Sequence, residues 1–362
     1  MLIGEREIGR GGEPYIIAEI GVNHDGDPDR ALALTDAAAR AGADAVKLQY
    51  FETDRLLSGA SRLAAYQREA GETDPAEMLR RLELGFNQCA RVIQRAHSNG
   101  LHALITLFSI ETVDALLTLR WDALKVASPD LVNTPLLEAL DAHGLPLIVS
   151  TGAAHPDEIT HTRRHLDGAA DRLAFLHCVS SYPTPPGDAQ LGACAHLGRL
   201  VSPCQIGYSD HTDRTDTGVI AVECAGATIL EKHLTDDRSR PGPDHAASLD
   251  EAGFTDYVRR VRERELPIDA TLIRSMLGSG EKALAERERD VRSVSRQSVV
   301  ATRDLPAGHV LKRDDVTVKR PGTGIPAREL HCLIGSVLRA PAAGDHPLTP
   351  EHVGAAERGD AA

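Results

Sequence analysis

Residues 15–49 read YIIAEIGVNHDGDPDRALALTDAAARAGADAVKLQ, and this stretch decides the fold. Tyr15–Ile20 is a short apolar run of the kind that forms a fully buried strand, and it carries an acid, Glu19, near its end. Gly21–Asp29 is polar and rich in turn residues. Pro28 suits a first helical turn, and Ala31-Leu32-Ala33-Leu34 through Ala37-Ala38-Ala39 continues at helical period. Gly42 stops the helix, and Ala43–Gln49 opens a second apolar run with Lys47 near its end. Strand, helix, strand in 35 residues is a parallel crossover unit.

The unit repeats. Apolar runs recur at His102–Ser109, Ala123–Asp130, Leu145–Thr151, Leu173–Tyr182, Cys204–His211 and Ala227–His233, making eight with the first two. Helical stretches at 90–98, 136–142 and 217–225 stop at Gly100, Gly144 and Gly226 before the next run. Eight such units predict closure into a (β/α)8 TIM barrel. A doubly wound open sheet is the alternative, but no G-x-G-x-x-G follows the first strand. In a barrel all strand C-termini meet at one face, so Glu19, Lys47, Thr106, Lys125, Ser128, Ser150, Ser180, Ser209, His211, Glu231 and His233 converge there. An insertion at 52–84, helical in its later part from Pro75, is expected to cover that face. After Tyr257 the pattern changes. Residues 258–296 are dense in Arg and Glu and read as a solvated helix or linker. From Gln297 short β-like pieces alternate with turns, a small domain too marginal to stand without support. The expected division is a barrel at 1–265, a charged linker at 266–296, a small β-rich domain at 297–355 and an unstructured tail at 356–362.

Composition narrows the class. A chain of 362 residues suits a barrel of about 250 residues plus a small module. Hydrophobic residues make up 42% but aromatics only 3%, so Ala, Leu, Val and Ile must fill the core. The net charge of −13 argues against a nucleic-acid partner. No apolar run reaches the roughly 18 residues that would span a bilayer, and the first ten residues, MLIGEREIGR, lack the apolar core of a signal peptide. Six cysteines without a C-x-x-C pair read as reduced thiols in a cytoplasmic protein.

The chemistry legible from residues alone is a metal and an anion. His211 and His233 end the seventh and eighth runs, where neighbouring strands bring two imidazoles together, a suitable start for a divalent-metal site with Glu19 across the mouth. Lys47 and Lys125 end buried runs and cannot reach solvent easily. They are either Schiff-base nucleophiles or an anion clamp, and the surrounding hydroxyls of Thr106, Ser128, Ser150, Ser180 and Ser209 fit a clamp better. That reading stops at a metal-dependent enzyme with an anionic substrate, a phosphorylated one being the first candidate.

The segments IIAEIGVNHDGD, VKLQ, TLFS, LKVASPD, IVSTG, LHCVSSYPTP, IGYSDHT and ILEKHLTDDRSRPGPDH, in this order, resemble the sialic acid synthase family. The tail, SVVATRDLPAGHVL followed by VTVKRPGTGI, resembles that family's SAF (antifreeze-like) domain. The resemblance implies condensation of phosphoenolpyruvate with an N-acylated aldose to a nine-carbon 2-keto acid, with release of phosphate. It implies His211 and His233 as ligands of Mn²⁺ or Mg²⁺. It assigns Lys47, Thr106, Lys125, Ser128, Ser150 and Ser209 to the phosphoenolpyruvate clamp, with Gln49 beside it. Glu19 resembles the acid near C2, and Glu231, Tyr182 and Asp244 resemble sugar contacts. Arg320 matches an arginine that reaches the other subunit's site, which implies a domain-swapped homodimer.

The chain departs from the sialic acid synthases proper. Ala127-Ser128-Pro129-Asp130 stands where they carry Gly-Ser-Gly and an acid, so Asp130 is carried over as a substrate contact, and Ser180 stands where they often have Asn. Tyr66-Gln67, Ser181-Tyr182 and Pro243-Asp244-His245 look more like the branch making legionaminic, pseudaminic or spore-coat-type sugars. The competing readings are a Schiff-base barrel aldolase using Lys125 or Lys47 and a non-catalytic carbohydrate-binding barrel.

Overall fold

A computed structural model describes residues 1–353; the unstructured tail expected at 356–362 lies outside them. Eight parallel strands close into a barrel: β1 Tyr15–Glu19, β2 Ala45–Tyr50, β3 His102–Leu107, β4 Ala123–Val126, β5 Leu147–Ser150, β6 Leu173–Cys178, β7 Gln205–Asp210 and β8 Ile229–His233, with β8 returning to β1. Seven long helices pack outside: α1 Pro28–Arg40, α2 Phe86–Ser98, α3 Thr134–Asp141, α4 Pro156–His165, α5 Ala193–Val201, α6 Thr217–Ala225 and α7 Glu251–Glu263. The expected local signals act where they were read. Asp27 caps α1 by accepting from Asp29 N and Arg30 N, with Pro28 in the first turn. Gly226 ends α6 at φ +77°, a left-handed cap that a side chain would disfavour.

Alternation along each strand separates two cores. Outward residues such as Ile16, Ala18, Val46 and Leu48 join the helices in one large cluster. Inward residues begin apolar at the N-terminal end, where Ile17, Ala45, Leu104, Ala123, Ile148, Ala174 and Ile229 pack together under Ile3 and Ile8 of a short N-terminal hairpin. Two residues further along six of these strands the same face turns polar: Glu19, Lys47, Thr106, Lys125, Ser150 and Glu231; on β6 it stays apolar at Leu176. The barrel is thus plugged at one end and chemically armed at the other.

The charged segment is not merely solvated. Arg262, near the end of α7, bonds to Pro14 O and Asp44 Oδ2 at the N-terminal face of the barrel. The chain then climbs the barrel wall as a strap. It contains α8 (Ala270–Leu277) and α9 (Glu288–Ser295). Met276 is buried in the main core. Lys282 Nζ donates to Cys178 O at 3.4 Å. Glu288, fully buried, accepts from Ala153 N at 2.8 Å and Ser180 N at 2.7 Å. These buried charges correct the expectation of a solvated linker: each is stabilised by fixed partners on the barrel rim.

The strap delivers the tail domain to the barrel mouth. Its antiparallel strands β9 (Ser298–Ala301) and β10 (Val316–Lys319) cover a separate small core. The insertion after β2 forms short helices at Thr53–Leu56, Ala65–Glu69 and Pro75–Arg80, and the tail rests on it. Arg320 N donates to Leu56 O at 2.9 Å, and the Ser58 and Ser61 hydroxyls donate to Arg320 O at 2.7 and 2.9 Å.

Candidate active site

One cavity of about 150 Å³ opens at the C-terminal face of the barrel. Glu19, Lys47, Gln49, Thr106, Lys125, Ser128, Ser150, Ser180, Tyr182, Ser209, His211, Glu231, His233, Asp244 and Arg320 all line it. Asp130 does not. After β4 the chain tightens into a 3₁₀ turn, Ser128–Val132, which turns Asp130 into the protein. There its carboxylate accepts from Asn133 Nδ2 at 3.2 Å and Gln297 Nε2 at 2.9 Å, and burial raises its pKa to about 6. Its expected role as a substrate contact is replaced by a structural one.

The floor is a hydrogen-bonded network set by strand register. Glu19 pairs across the ladder with Lys47, Thr106 with Lys125, and Ser209 with Glu231. Lys47 forms an ion pair with Glu19, donates to Thr106 Oγ1 at 3.1 Å, and lies 3.6 Å from Glu231. Lys125 donates to Ser150 Oγ at 2.6 Å and lies 3.8 Å from the other Glu231 oxygen. Burial pushes Lys47 down to about 7, with Glu231 opposing and Lys125 adding to the fall. Burial disfavours a charged Glu231, but Lys125 and Lys47 outweigh it and hold that carboxyl below its usual range. Glu19 Oε1 accepts from Gly21 N at 2.7 Å, which fixes the loop after β1.

The imidazoles occupy the adjoining wall. The His211 and His233 rings lie 5.5 Å apart between centroids. His211 Nδ1 sits 2.9 Å from Val179 O. A carbonyl only accepts, so Nδ1 holds the proton and Nε2 is left to bind. His233 Nδ1 is buried without a hydrogen bond, 3.7 Å from Asp244 Oδ2. Burial, with His211 and Lys47 nearby, drives His233 well below the ordinary imidazole value, so it is neutral. Tyr182 lies tilted against His211 with ring centres 4.1 Å apart, and Tyr66 from the insertion stacks on Tyr182 at 5.1 Å.

The roof is different in kind. Val22, Phe51, Leu56, Met78, Leu79, Leu82 and Phe108 form an apolar wall. The Arg320 guanidinium lies 5.4 Å from the Phe108 ring centre. The arginine therefore reaches the cavity of its own chain. Within one chain the strap returns the tail to its own barrel, and the same contacts made between two subunits would give the expected domain-swapped homodimer.

Among the residues that escaped the sequence reading are two in the cavity wall, Cys178 and Phe108, and one beside it, Gly152. Cys178 faces inward at the end of β6, two positions after Leu176, so period-two alternation could have found it. Phe108 follows β3 directly. Gly152 lies under the clamp, where an added Cβ would come within 2.4 Å of Ser180 Oγ and 2.8 Å of Ser128 Oγ. Nothing local marks that requirement.

Comparison with known proteins agrees with this architecture. The profile of the NeuB family matches residues 34–270, and that of the SAF domain matches residues 296–354. The chain is 36% identical over 346 residues to the N,N'-diacetyllegionaminic acid synthase of Legionella pneumophila, covering 94% of each chain. It is 30% identical over 345 residues to the human N-acetylneuraminate-9-phosphate synthase, covering 94% of this chain and 92% of that one. The crystal structure of the spore coat polysaccharide biosynthesis protein SpsE from Bacillus subtilis superposes with a TM-score of 0.83 at 27% identity, over 98% of both chains. By sequence and by fold, the chain belongs to the NeuB family and carries a SAF domain at its C-terminal side.

Proposed function

We propose that this chain condenses phosphoenolpyruvate with an N-acylated aldose to make a nine-carbon 2-keto sugar acid and inorganic phosphate. The observation that carries the reading is the joining, in one cavity, of a two-lysine, multi-hydroxyl floor to a pair of imidazoles. The floor suits a phosphate and a carboxylate. Lys125, Lys47, Ser150, Thr106 and Ser128 supply donors that are already oriented, so little reorganisation accompanies charge development. In the reaction, C3 of phosphoenolpyruvate bonds to the aldehyde carbon, whose oxygen takes up a proton. Water adds to C2 and loses a proton. Collapse at C2 then breaks its bond to the phosphate oxygen, leaving the 2-keto acid and phosphate. Glu19, held by Gly21 N and Lys47, is the group that takes the water's proton.

The metal assignment rests on donor chemistry. Among the described residues no group of three or more His, Cys, Asp or Glu side chains forms a cage. A pair of imidazoles does fit a site completed by substrate and water. Nε2 of His211 faces away from Val179 O, and the His233 ring is kept neutral by burial. Burial opposes a charged His211, but Cys178 and Glu231 outweigh it and raise its pKa, so positive charge is favoured at that position. His211 and His233 would hold Mn²⁺ or Mg²⁺, which when bound polarises the acceptor's carbonyl. Chelation is expected to abolish turnover, with recovery on adding either metal; full activity in chelator removes the metal from this reading.

The acceptor's N-acyl and deoxy carbons suit the apolar wall around Phe51, Met78 and Phe108, and Arg320 suits an acyl carbonyl. Among the described residues no helix is long and apolar enough to cross a membrane, and all six cysteines are free, features in keeping with a cytoplasmic enzyme. A Schiff-base lyase is favoured by one observation, the depressed pKa of Lys47. Mass spectrometry of products from phosphoenolpyruvate with manno-, dideoxy- and altro-configured acceptors tests the synthase. Borohydride trapping of a lysine adduct, with no phosphate released from phosphoenolpyruvate, would favour the lyase.

A further inference from the structure

A cavity away from the strand ends also stands out among the described residues. Of about 490 Å³, it lies where barrel, strap and tail meet. Its lining carries four arginines, Arg289, Arg292, Arg296 and Arg328, together with His155, against one carboxylate, Glu158. In a chain of net charge −13 this is an unusual concentration of positive charge.

Glu158 is fully engaged. It accepts from Arg292 at 2.7 and 2.8 Å, from Arg296 at 2.6 and 3.0 Å, and from His155 N at 2.9 Å. Two guanidiniums thus share one negative charge. Arg296 Nε is buried with no hydrogen-bond partner. Burial lowers the pKa of Arg296, and the neighbouring Arg292 and Arg328 lower it further. Arg328 forms no ion pair and no side-chain hydrogen bond among the described residues. Arg289 reaches only Glu286, at 2.6 Å, in a pair that is largely exposed. Arg292 and Arg296 also donate to Ala153 O at 2.6 and 3.4 Å, but a carbonyl carries no net charge, so positive charge exceeds what the protein supplies to balance it beside a space of ligand size.

We infer that this cavity is a second anion site, taking a phosphate dianion between the strap and the tail. The dianion's source is either free inorganic phosphate, which the proposed reaction would release, or the phosphate of a nucleotide. The position gives binding a consequence. Gly322 passes so close to Arg296 that an added Cβ would lie 2.6 Å from the arginine's Cβ, and Arg320 is two residues before it. Gln297, beside Arg296, bonds to Phe108 O at 2.7 Å. An anion held by Arg296 and Arg328 would tie the tail to the strap at the segment that aims Arg320 over the first cavity.

The test is direct binding, which needs no turnover. Equilibrium dialysis of the full chain with radiolabelled inorganic phosphate is compared with Arg289→Ala/Arg328→Ala and with Lys125→Met. Both arginines are exposed, so the double variant is expected to fold with an unchanged melting temperature. It is expected to bind one phosphate fewer per chain, its affinity for that equivalent falling about 10-fold or more, while Lys125→Met keeps that equivalent. Displacement of that phosphate by a nucleoside monophosphate at lower concentration than by sulfate identifies a nucleotide as the source; the reverse order identifies free phosphate. Equal stoichiometry and affinity in wild type and the arginine variant would overturn the proposal.

Discussion

The floor and the roof of the first cavity are made by different means. Each floor residue sits on a strand whose register fixes it against two neighbours, as Thr106 faces Gln49 on one side and Lys125 on the other. The roof comes from an insertion, a strap and a separate small domain, joined by contacts such as Ser61 to Arg320, 259 residues apart. A floor side chain cannot relax when its neighbour changes, because its backbone belongs to a closed ladder. A roof side chain can. Substitutions in the floor should therefore cost more, and fall on phosphoenolpyruvate. Substitutions in the roof should cost less, and fall on the sugar.

The largest effect is expected at Lys125. Lys125→Met keeps the length of the side chain but removes the donor to Ser150 and a counter-charge to Glu231. A lost charge-assisted contact costs about 1.5–3 kcal/mol, and Glu231 is left less compensated, so kcat/KM for phosphoenolpyruvate should fall on the order of 100-fold. Steady-state kinetics with a fall under about threefold would place the anion elsewhere.

Arg320→Ala comes next, with an expected rise of about 10-fold in KM for the sugar and little change for phosphoenolpyruvate. Mixing subunits tests whether the arginine serves its own barrel or a neighbour's. If the arginine serves its own chain, exchanged mixtures of Arg320→Ala and Glu19→Ala subunits show only the sum of their separate activities. Activity above that sum would mean that the tail works across a dimer.

Lys47 offers a pH test. With its free-site pKa near 7, raising the pH removes the ammonium charge, so kcat/KM for phosphoenolpyruvate should fall on the alkaline side, by about 5-fold between pH 7 and 8. In Lys47→Met that limb should vanish. A wild-type profile flat from pH 7 to 9 would show that Lys47 does not titrate there.

The same contrast explains what could be read from the sequence. The floor was legible because a strand has only two faces. Once Ile17 is assigned to the barrel interior, Glu19 must follow it, as Lys47 follows Ala45 and Lys125 follows Ala123. Asp130 was misplaced because the strand ends at Val126, and a 3₁₀ turn does not keep that alternation. The strap was misread because its acids and bases are, by composition, those of a solvated helix; that Glu288 caps two backbone amides of the barrel rim is visible only in three dimensions. The side to which Arg320 is delivered depends on those contacts, so its address was not written in its own motif.

The smallest effect should come from the seam that holds the roof. Arg320 O accepts three bonds, from Ser58 N at 3.1 Å, Ser58 Oγ at 2.7 Å and Ser61 Oγ at 2.9 Å. Ser61→Ala removes one and leaves the carbonyl satisfied, so the net loss should be about 0.5–1 kcal/mol. That corresponds to roughly a 2- to 5-fold rise in KM for the sugar, since the guanidinium is aimed less firmly while the floor is untouched. The ratio of the two effects is the informative quantity. If Ser61→Ala raises KM for phosphoenolpyruvate as much as for the sugar, floor and roof move together, and the division between a rigid ladder and a soft lid fails.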